Sequence, residues 1–308
     1  MIGETHKLCR EKIACNKKLC EYYSHYISEL YRSWFIDFNP VKAKEEGKLP
    51  YGMDRKTAAL FPDSFEDSEL GPIPSGWDVG TVHDIAKQRK EIVKPDVFED
   101  TSHYIGLEHI PRNSIALTKW GISKGLESNK FRFSKGDFLF GKLRPYFHKV
   151  GPAPVDGICS TDILVIQPIN SKLGAFLFPI ISSENFVNFV SGITEGVGLP
   201  RTKWEHFKLY RIALPPVELR EEFVSLVEPM IHMVELLIHE SKSLEHIKES
   251  LLTQPMKSVH NANTSANHRP LTVFGRLLRF TASLLPGFIK GPIVRRLQTG
   301  ASLYNNKA

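Results

Sequence analysis

Two long stretches of the chain repeat apolar residues every three or four positions, a spacing typical of helices with one buried face. The first stretch covers residues 5–36. Its apolar residues are Leu19, Tyr22, Tyr23, Tyr26, Ile27, Leu30 and Trp34. We expect this helix to stop near Asp37, because the residue before Pro40 is disfavoured in helical geometry. Residues 1–38 are therefore predicted to form one N-terminal helix.

The second stretch, residues 216–254, has the most regular repeat in the chain. Five apolar residues lie seven positions apart: Phe223, Met230, Leu237, Leu244 and Leu251. Their companions three residues later are Leu226, Met233, Glu240 and Ile247. This heptad pattern predicts a coiled coil, with a kink near Pro229. Because a one-sided apolar helix needs a partner, we expect antiparallel pairing with the N-terminal helix, from the same chain or another copy.

The region between the two helices divides by composition. Residues 39–76 are rich in Pro, Gly, Asp and Glu and are predicted to form a surface linker. Residues 77–215 contain short apolar segments at 104–107, 138–143, 163–166, 175–181 and 209–214. The segment 173–192 has a helical rhythm and the others are strand-like. The predicted fold class is α+β: one mixed α/β domain flanked by long helices.

The formal net charge of +6 is concentrated near the C-terminus. Residues 250–308 hold eight Lys or Arg and no Asp or Glu, and residues 255–308 are predicted to be a basic tail, poorly ordered or partly helical. Residues 70–215 hold 18 basic and 14 acidic residues, so the central domain is only mildly basic. No apolar run is long enough for a membrane span, and the four cysteines lack metal-site spacing. A reduced, cytoplasmic protein without membrane contact is expected.

Positive side chains occur in three segments of the central domain. Lys142 and Arg144 lie two residues apart, so they project from the same face of an extended strand. Arg201 and Lys203 have the same spacing. The third segment carries Trp120, Lys124, Lys130 and Arg132. Each segment alone is typical of solvated surface charge, but the three together favour a surface that binds nucleic-acid phosphates.

The sequence lacks the common catalytic motifs, although one group of residues is a candidate for a metal-dependent nuclease site. There is no P-loop, no HExxH and no Asn/Asp-Pro-Pro-aromatic motif of a base methyltransferase. Asp137, Asp162 and Glu108, joined by Lys142, are candidates for a metal-dependent nuclease cluster. The usual nuclease signature needs a carboxylate two residues before the lysine, where this chain has Phe140. We therefore predict no catalytic residue and no metal ligand, and keep the nuclease as a minor alternative.

Several segments, taken in order, resemble the specificity subunit of Type I restriction-modification enzymes. The internal segments are Phe140-Gly-Lys-Leu-Arg-Pro-Tyr146, Ser160-Thr-Asp162 and Leu199-Pro-Arg-Thr-Lys-Trp204. Residues 34–44 and 60–77 are similar to the lead-in of a target recognition domain, and Pro215-Pro216 with the heptad helix is similar to its exit. The resemblance covers residues 15–253. In that family, residues 1–38 and 216–254 would be spacer helices and residues 77–215 the recognition domain.

The resemblance implies a non-catalytic subunit that reads one half of a bipartite DNA site. The implied DNA-binding residues are Lys124, Lys142, Arg144, Tyr146, Arg201, Thr202 and Lys203. The implied docking residues are Leu226, Met230, Met233, Leu237, Leu244, Ile247 and Leu251. Base readout is expected from loops within 108–132 and 192–203. The implied partners are double-stranded DNA and methyltransferase subunits, with a translocating restriction subunit and a second copy or another half-subunit as further candidates. S-adenosylmethionine, ATP and Mg²⁺ would belong to the partner subunits.

Two departures from the family pattern leave alternatives open. A complete specificity subunit has two recognition domains, whereas this chain has one, and the segment after Leu252 runs into an unfamiliar basic tail. The chain is therefore expected to be a half-subunit that dimerises or a remnant of a longer gene. A decayed subunit that binds methyltransferase without directing it is the main functional alternative.

Overall fold

The computed structural model describes residues 2–194 and 199–253. Residues 1–50 and 55–253 form one unit, and of the other unit only a short turn at 51–54 is described. The predicted basic tail, 255–308, lies outside the described residues, as do residues 195–198 of the predicted reading loop. The helices are Ile2–Phe35 (α1), Asn39–Glu45 (α2), Arg55–Ala59 (α3), Gly174–Ile181 (α4), Glu184–Gly192 (α5), Trp204–Lys208 (α6) and Val217–Thr253 (α7).

Thirteen strands in the described part of the chain complete the fold. They are Phe65–Ser68 (β1), Gly71–Pro74 (β2), Asp78–Thr81 (β3), Ala86–Arg89 (β4), Ile92–Val93 (β5), His103–Ile105 (β6), Gly121–Ile122 (β7), Lys130–Phe133 (β8), Phe138–Gly141 (β9), Val150–Pro152 (β10), Gly157–Cys159 (β11), Ile163–Pro168 (β12) and Arg211–Leu214 (β13). A four-stranded sheet has the order β10-β9-β12-β4, and a five-stranded sheet has the order β5-β8-β11-β6-β7. Two further pairs are β1-β2 and β3-β13. The predicted α+β fold is confirmed.

Strand β9 is buried on both faces, which explains its unbroken apolar sequence. Leu139 faces a core shared with the five-stranded sheet, where it lies with Phe133 and Cys159. Phe138 and its neighbour Phe140 face the opposite way and meet helices: the Phe138 ring stacks on Phe178 of α4 at 5.5 Å between centroids. The domain therefore has three layers, with the four-stranded sheet in the middle.

The two long helices pair with each other inside one chain, and the pairing is antiparallel. Phe35 at the end of α1 contacts Phe223 near the start of α7, with 5.0 Å between ring centroids. Lys12 near the start of α1 lies 3.1 Å from Glu240. The buried Asn16 amide donates to the Glu240 carboxylate at 2.8 Å and lies 3.1 Å from the Ser241 hydroxyl. This polar node interrupts an apolar seam, and such nodes fix the register of paired helices.

The buried face of α7 differs from the predicted seam by one residue. Phe223, Met230 and Leu237 are buried as predicted, but their buried companions lie four residues later instead of three. Those companions are Val227, Val234 and Ser241. The predicted companions are half-buried at Leu226 and Met233 and exposed at Ile247. Residues three and four positions away flank the same helix face, so the position of α1 decides which set is covered.

Residues 39–76 are not the surface linker that composition predicts. They form two short helices and the β1-β2 hairpin, and they bury Val41, Ala58, Phe61 and Ile73. The Phe61 ring lies edge-on to Trp34 of α1 at 5.2 Å between centroids. A few well-placed apolar side chains therefore fasten this polar segment to the helix pair.

The segment with a helical rhythm, 173–192, contains a break. Helix α4 ends at Ile181 and α5 begins at Glu184, with an angle of 70° between the two halves. The Ser183 hydroxyl accepts a hydrogen bond from the Phe186 amide at 3.1 Å, which caps α5. Over the described residues, no single helix passes a test of length and hydropathy for a membrane span, although this bent pair passes it when both halves are counted together.

Candidate nucleic-acid interface

The structure brings the two predicted cation pairs together. The chain leaves β9 at Gly141, and residues 142–144 then run beside residues 200–202. The Arg144 amide donates to the Pro200 carbonyl at 2.9 Å, and the Thr202 amide donates to the Lys142 carbonyl at 3.0 Å. Segments almost sixty residues apart in sequence therefore form one short antiparallel ladder. This ladder is the framework of the candidate interface.

The two predicted pairs contain four cations, and two of these, Lys142 and Arg201, are bound by other groups of the protein. The Arg201 guanidinium lies 2.9 Å from the Asp162 carboxylate. The Lys142 amine donates to the Thr161 carbonyl at 2.6 Å and lies 5.0 Å from the centroid of the Phe131 ring. Burial is the main cause that lowers the pKa of Lys142, and Asp162 opposes it. These contacts orient Lys142 and Arg201 and partly neutralise their charge.

Arg144 and Lys203 are more open to solvent. Both side chains are exposed, and neither lies within 4.0 Å of a carboxylate among the described residues. Arg144 has a backbone φ of 48°, in the left-handed region that residues other than glycine rarely adopt. Beside it, Tyr146 is 53% exposed and lies edge-on to Phe147. An exposed cation next to an exposed aromatic ring is suited to contacting a phosphate backbone.

Thr202 is one residue of the predicted DNA-binding set that the structure places inside the protein. Its side chain is fully buried, and its hydroxyl lies 3.2 Å from the ring nitrogen Nδ1 of His206 at the start of α6. A side chain in that position cannot reach DNA. The prediction that Thr202 contacts DNA is therefore wrong, and its observed contacts join the ladder to α6.

The third basic segment does not form an open patch. Lys130 is buried and donates to the Ser128 carbonyl at 2.8 Å, and Arg132 lies 2.7 Å from the Glu91 carboxylate. The Trp120 ring packs under Lys242 of α7, at 4.2 Å from the ring centroid to the amine. Lys124 is exposed in the connection between β7 and β8, and no hydrogen bond or ion pair described here joins it to the ladder. Its role in DNA binding stays a prediction.

Arg112 lies within the range 108–132 that is predicted to hold base-reading loops, but the sequence does not single it out. Its guanidinium carbon lies 3.8 Å from the centroid of the Phe147 ring, and the Arg144 guanidinium lies 5.9 Å from the same ring. A single arginine in a loop has no periodicity and no neighbouring cation, so nothing in its sequence context separates it from ordinary surface charge. The geometry places it on the Phe147 ring, which Arg144 and Tyr146 also approach.

A cleft of about 760 Å³ lies between α1 and the domain, and unlike the ladder it is lined by several acidic residues. Its lining includes the carboxylates of Glu21, Glu29, Asp37 and Glu184. The Asp37 carboxylate is paired with Arg32 at 3.2 Å. An acidic lining repels phosphates, so this cleft is unsuited to DNA. The positive surface of the ladder is the better candidate.

Asp137 and Asp162, two carboxylates of the alternative nuclease cluster, lie far apart along the four-stranded sheet. Asp137 precedes β9 and receives a hydrogen bond from Gln167 at 2.8 Å, whereas Asp162 precedes β12 and pairs with Arg201. Because β9 and β12 are antiparallel, with Ile163 opposite Gly141 and Ile166 opposite Phe138, the two aspartates lie at opposite ends of the pair. They cannot bind one metal ion together. Within the described ranges, no group of three or more His, Cys, Asp or Glu is arranged to hold a metal.

Cys159 is poorly suited to reactive chemistry. All four cysteines are unpaired, and Cys159 lies in the core between the two larger sheets. Burial is the main cause that raises the pKa of the Cys159 thiol to about 12. A thiol held protonated in this way is a poor nucleophile.

Comparison with known proteins identifies the family. The model of the family described as the Type I restriction modification DNA specificity domain matches residues 74–246, which is more than half of the chain. The chain belongs to this family. The resemblance to a Type I specificity subunit with one recognition domain is thereby confirmed.

Curated relatives of this specificity domain are longer than the chain. The specificity subunit of the Type I restriction enzyme EcoDI from Escherichia coli is 28% identical over 167 residues, which cover 53% of this chain and 37% of that protein. The chain therefore matches well under half the length of this relative.

Solved structures of the same kind are more distant. The S subunit of a Type I restriction-modification system from M. genitalium has a TM-score of 0.45 at 13% identity, covering 82% of this chain and 56% of that one. The HsdS subunit from Thermoanaerobacter tengcongensis has a TM-score of 0.35 at 12% identity, covering 81% and 57%.

Proposed function

We propose that this specificity domain binds double-stranded DNA and reads one half of a bipartite site. The ladder that joins residues 142–144 to residues 200–202 carries the proposal, because it brings the backbones of Lys142, Arg144 and Arg201 together, with Lys203 one residue further on. The exposed ring of Tyr146 follows Arg144 in the same turn. Phosphate contacts from such a surface would set the register of the protein on the duplex. Family membership supports the same assignment.

Arg144→Ala is expected to weaken binding to all DNA sequences alike and to reduce the slope of log affinity against log salt by about 0.9. The reason is that the exposed, unpaired guanidinium of Arg144 is suited to one phosphate contact. The measurement is the affinity of the full chain for a DNA duplex at several salt concentrations, combined with selection from a randomised duplex library. Lys87→Ala, which removes an exposed cation from β4, is the control and should leave the slope unchanged.

The same experiment separates the alternatives. If Arg144→Ala changed the preferred sequence, Arg144 would be a base contact instead of a phosphate contact. If the unmodified chain selected no sequence at all, the decayed subunit that binds methyltransferase without directing it would be favoured. Metal-dependent cleavage of the library would favour the nuclease alternative.

We further propose that the chain is non-catalytic and that its long helices dock methyltransferase subunits in the cytoplasm. S-adenosylmethionine, ATP and Mg²⁺ would then be bound by partners, and a restriction subunit would join the same assembly. Met230 and Leu237 are already covered within this chain. The docking face must therefore use the outer side of α7, where Leu236 and Ile247 are 49% and 46% exposed. These two residues lie eleven positions apart, which places them on one helix face.

Ile247→Asp is expected to reduce co-purification of the cognate methyltransferase subunit at least about tenfold, since it puts a charge at the centre of an apolar contact. The unfolding midpoint should stay within error, because Ile247 is exposed. His246→Asp is the matched control: His246 is the adjacent exposed residue and lies about 100° further around the helix. Equal co-purification of both variants would show that the docking face lies elsewhere.

A further inference from the structure

The loop that carries Arg112 is fixed to the turn that carries Phe147. The Asn113 amide donates to the His148 carbonyl at 3.1 Å, and the His148 ring lies 2.6 Å from the Ser182 carbonyl at the end of α4. Ile110 and Ile115, on either side of Arg112, are buried. Arg112 is therefore an exposed side chain on an anchored loop rather than a mobile surface residue.

Three residues of this region have backbone φ values that are rare outside glycine. They are Asn113 at 51°, Arg144 at 48° and His148 at 51°. Non-glycine residues rarely adopt this conformation, so the surrounding contacts must hold each of them in place. Non-glycine residues in this conformation cluster at binding sites in proteins generally. The strain is concentrated around Phe147, on which both Arg112 and Arg144 lie.

The charge on Arg112 has no carboxylate partner among the described residues at 4.0 Å or less. Arg112 also acts on another cation: burial is the main cause that lowers the pKa of Lys149, Arg112 adds to that effect, and Glu108 opposes it. The Lys149 amine is itself turned inward and donates to the Leu107 carbonyl. Arg112 and Arg144 thus bring two guanidinium groups to the Phe147 ring, and the exposed Arg112 is available to an acceptor outside the protein.

Stacking determines which atoms of Arg112 remain available. The guanidinium carbon lies over the ring at 3.8 Å from its centroid, a distance suited to face-to-face stacking on Phe147. Stacking of this kind leaves the N–H groups free along the edges of the guanidinium. Two parallel N–H donors match the O6 and N7 acceptors that guanine presents in the major groove. A guanidinium already held by a ring also loses less conformational entropy when it binds.

We propose that Arg112, stacked on Phe147, reads a guanine of the recognised half-site through two hydrogen bonds. This inference rests on the proposed function and adds a specificity-determining residue to it. Arg144, further from the ring and on a strained backbone, acts as the neighbouring phosphate contact. The pair would couple contact with the DNA backbone to base readout at one aromatic ring, Phe147.

The test is selection of randomised duplex DNA by the full chain carrying Arg112→Ala or Arg112→Lys. The unmodified chain should enrich a motif that contains an essential guanine. Arg112→Ala should enrich the same motif with preference for that one guanine reduced about 5- to 150-fold. Arg112→Lys keeps the charge but not the two-donor edge, so it should show the same loss of preference with a salt slope close to that of the unmodified chain.

The control is Lys87→Ala, which should leave every position of the motif unchanged, and thermal unfolding should confirm that both Arg112 variants fold. A motif that is the same for Arg112→Ala at every position, with affinity lowered uniformly, would overturn the inference while leaving the proposed function standing. Absence of any enriched motif for the unmodified chain would instead overturn the proposed function, and this inference with it.

Discussion

Phe223→Ala is expected to lower the free energy of unfolding by about 3–5 kcal/mol, the range for removing a buried phenylalanine. Phe223 is fully buried where α7 meets both α1 and the domain. Its ring contacts Tyr31, Trp34 and Phe35 of α1 and Phe176 of α4, with centroids 5.0–6.2 Å apart. Truncation would leave a cavity that four rings from two different layers cannot readily fill.

The measurement is chemical denaturation of the full chain followed by circular dichroism. Leu236→Ala on the same helix is the control: Leu236 is 49% exposed, so its loss should cost less than about 1 kcal/mol. If Phe223→Ala cost no more than Leu236→Ala, the aromatic cluster would not be the junction that holds the helix pair to the domain.

Leu237→Asp is expected to cost at least about 3 kcal/mol, because it buries a carboxylate in the seam between α1 and α7. The Leu237 side chain is 6% exposed, and its carbonyl lies 3.5 Å from the Asn16 amide. Glu240 already lies beside this position and would repel a second carboxylate. The helix pair should therefore separate or unfold, with loss of helical signal.

Leu236→Asp is the matched control, since it makes the same change one residue away on the outer face. It should alter the free energy of unfolding by about 0.5 kcal/mol at most. Comparable destabilisation by the two variants would mean that α1 and α7 do not pair through the face described here. Limited proteolysis would show separately whether the central domain stays folded when the seam is disrupted.

The long helices and their pairing could be predicted from the sequence, whereas the phase of the seam could not. Apolar periodicity is a local property, and it located both helices to within a few residues. Leu226 and Val227 are both apolar, however, and each lies near the face that Phe223 defines. Val227 is buried because α1 packs over it. Where α1 packs depends on contacts between distant parts of the chain, which local periodicity does not reveal.

The linker prediction failed for a related reason. Composition predicted a surface segment over residues 39–76, and most of its polar residues are indeed exposed. The segment is nevertheless fixed to the rest of the fold by a few buried side chains such as Val41 and Phe61. Phe61, for example, contacts Trp34 of α1. Average composition is insensitive to so small a number of anchoring residues.

The candidate site was only partly accessible from sequence. The two pairs of cations could be found by their spacing, but their juxtaposition requires the ladder between residues 142–144 and 200–202. Thr202 belongs to the Leu199–Trp204 segment on which the resemblance rests, and alternation along the ladder turns its side chain into the protein. Arg112 needed the Phe147 ring beside it before it could be distinguished from any other surface arginine.

The antiparallel pairing of α1 and α7 has a consequence for how new variants of this protein can arise. Because Phe35 and Phe223 are in contact, the chain enters and leaves the intervening domain at one point on the helix pair. A recombination event with one crossover on each side could exchange that domain as a cassette while leaving the scaffold intact. The incoming cassette would need aromatic residues in place of Trp77 and Phe176, which contact Phe35 from the domain side. Diversification would then require the incoming domain to keep these two rings, together with contacts to α7 such as that of Trp120 with Lys242.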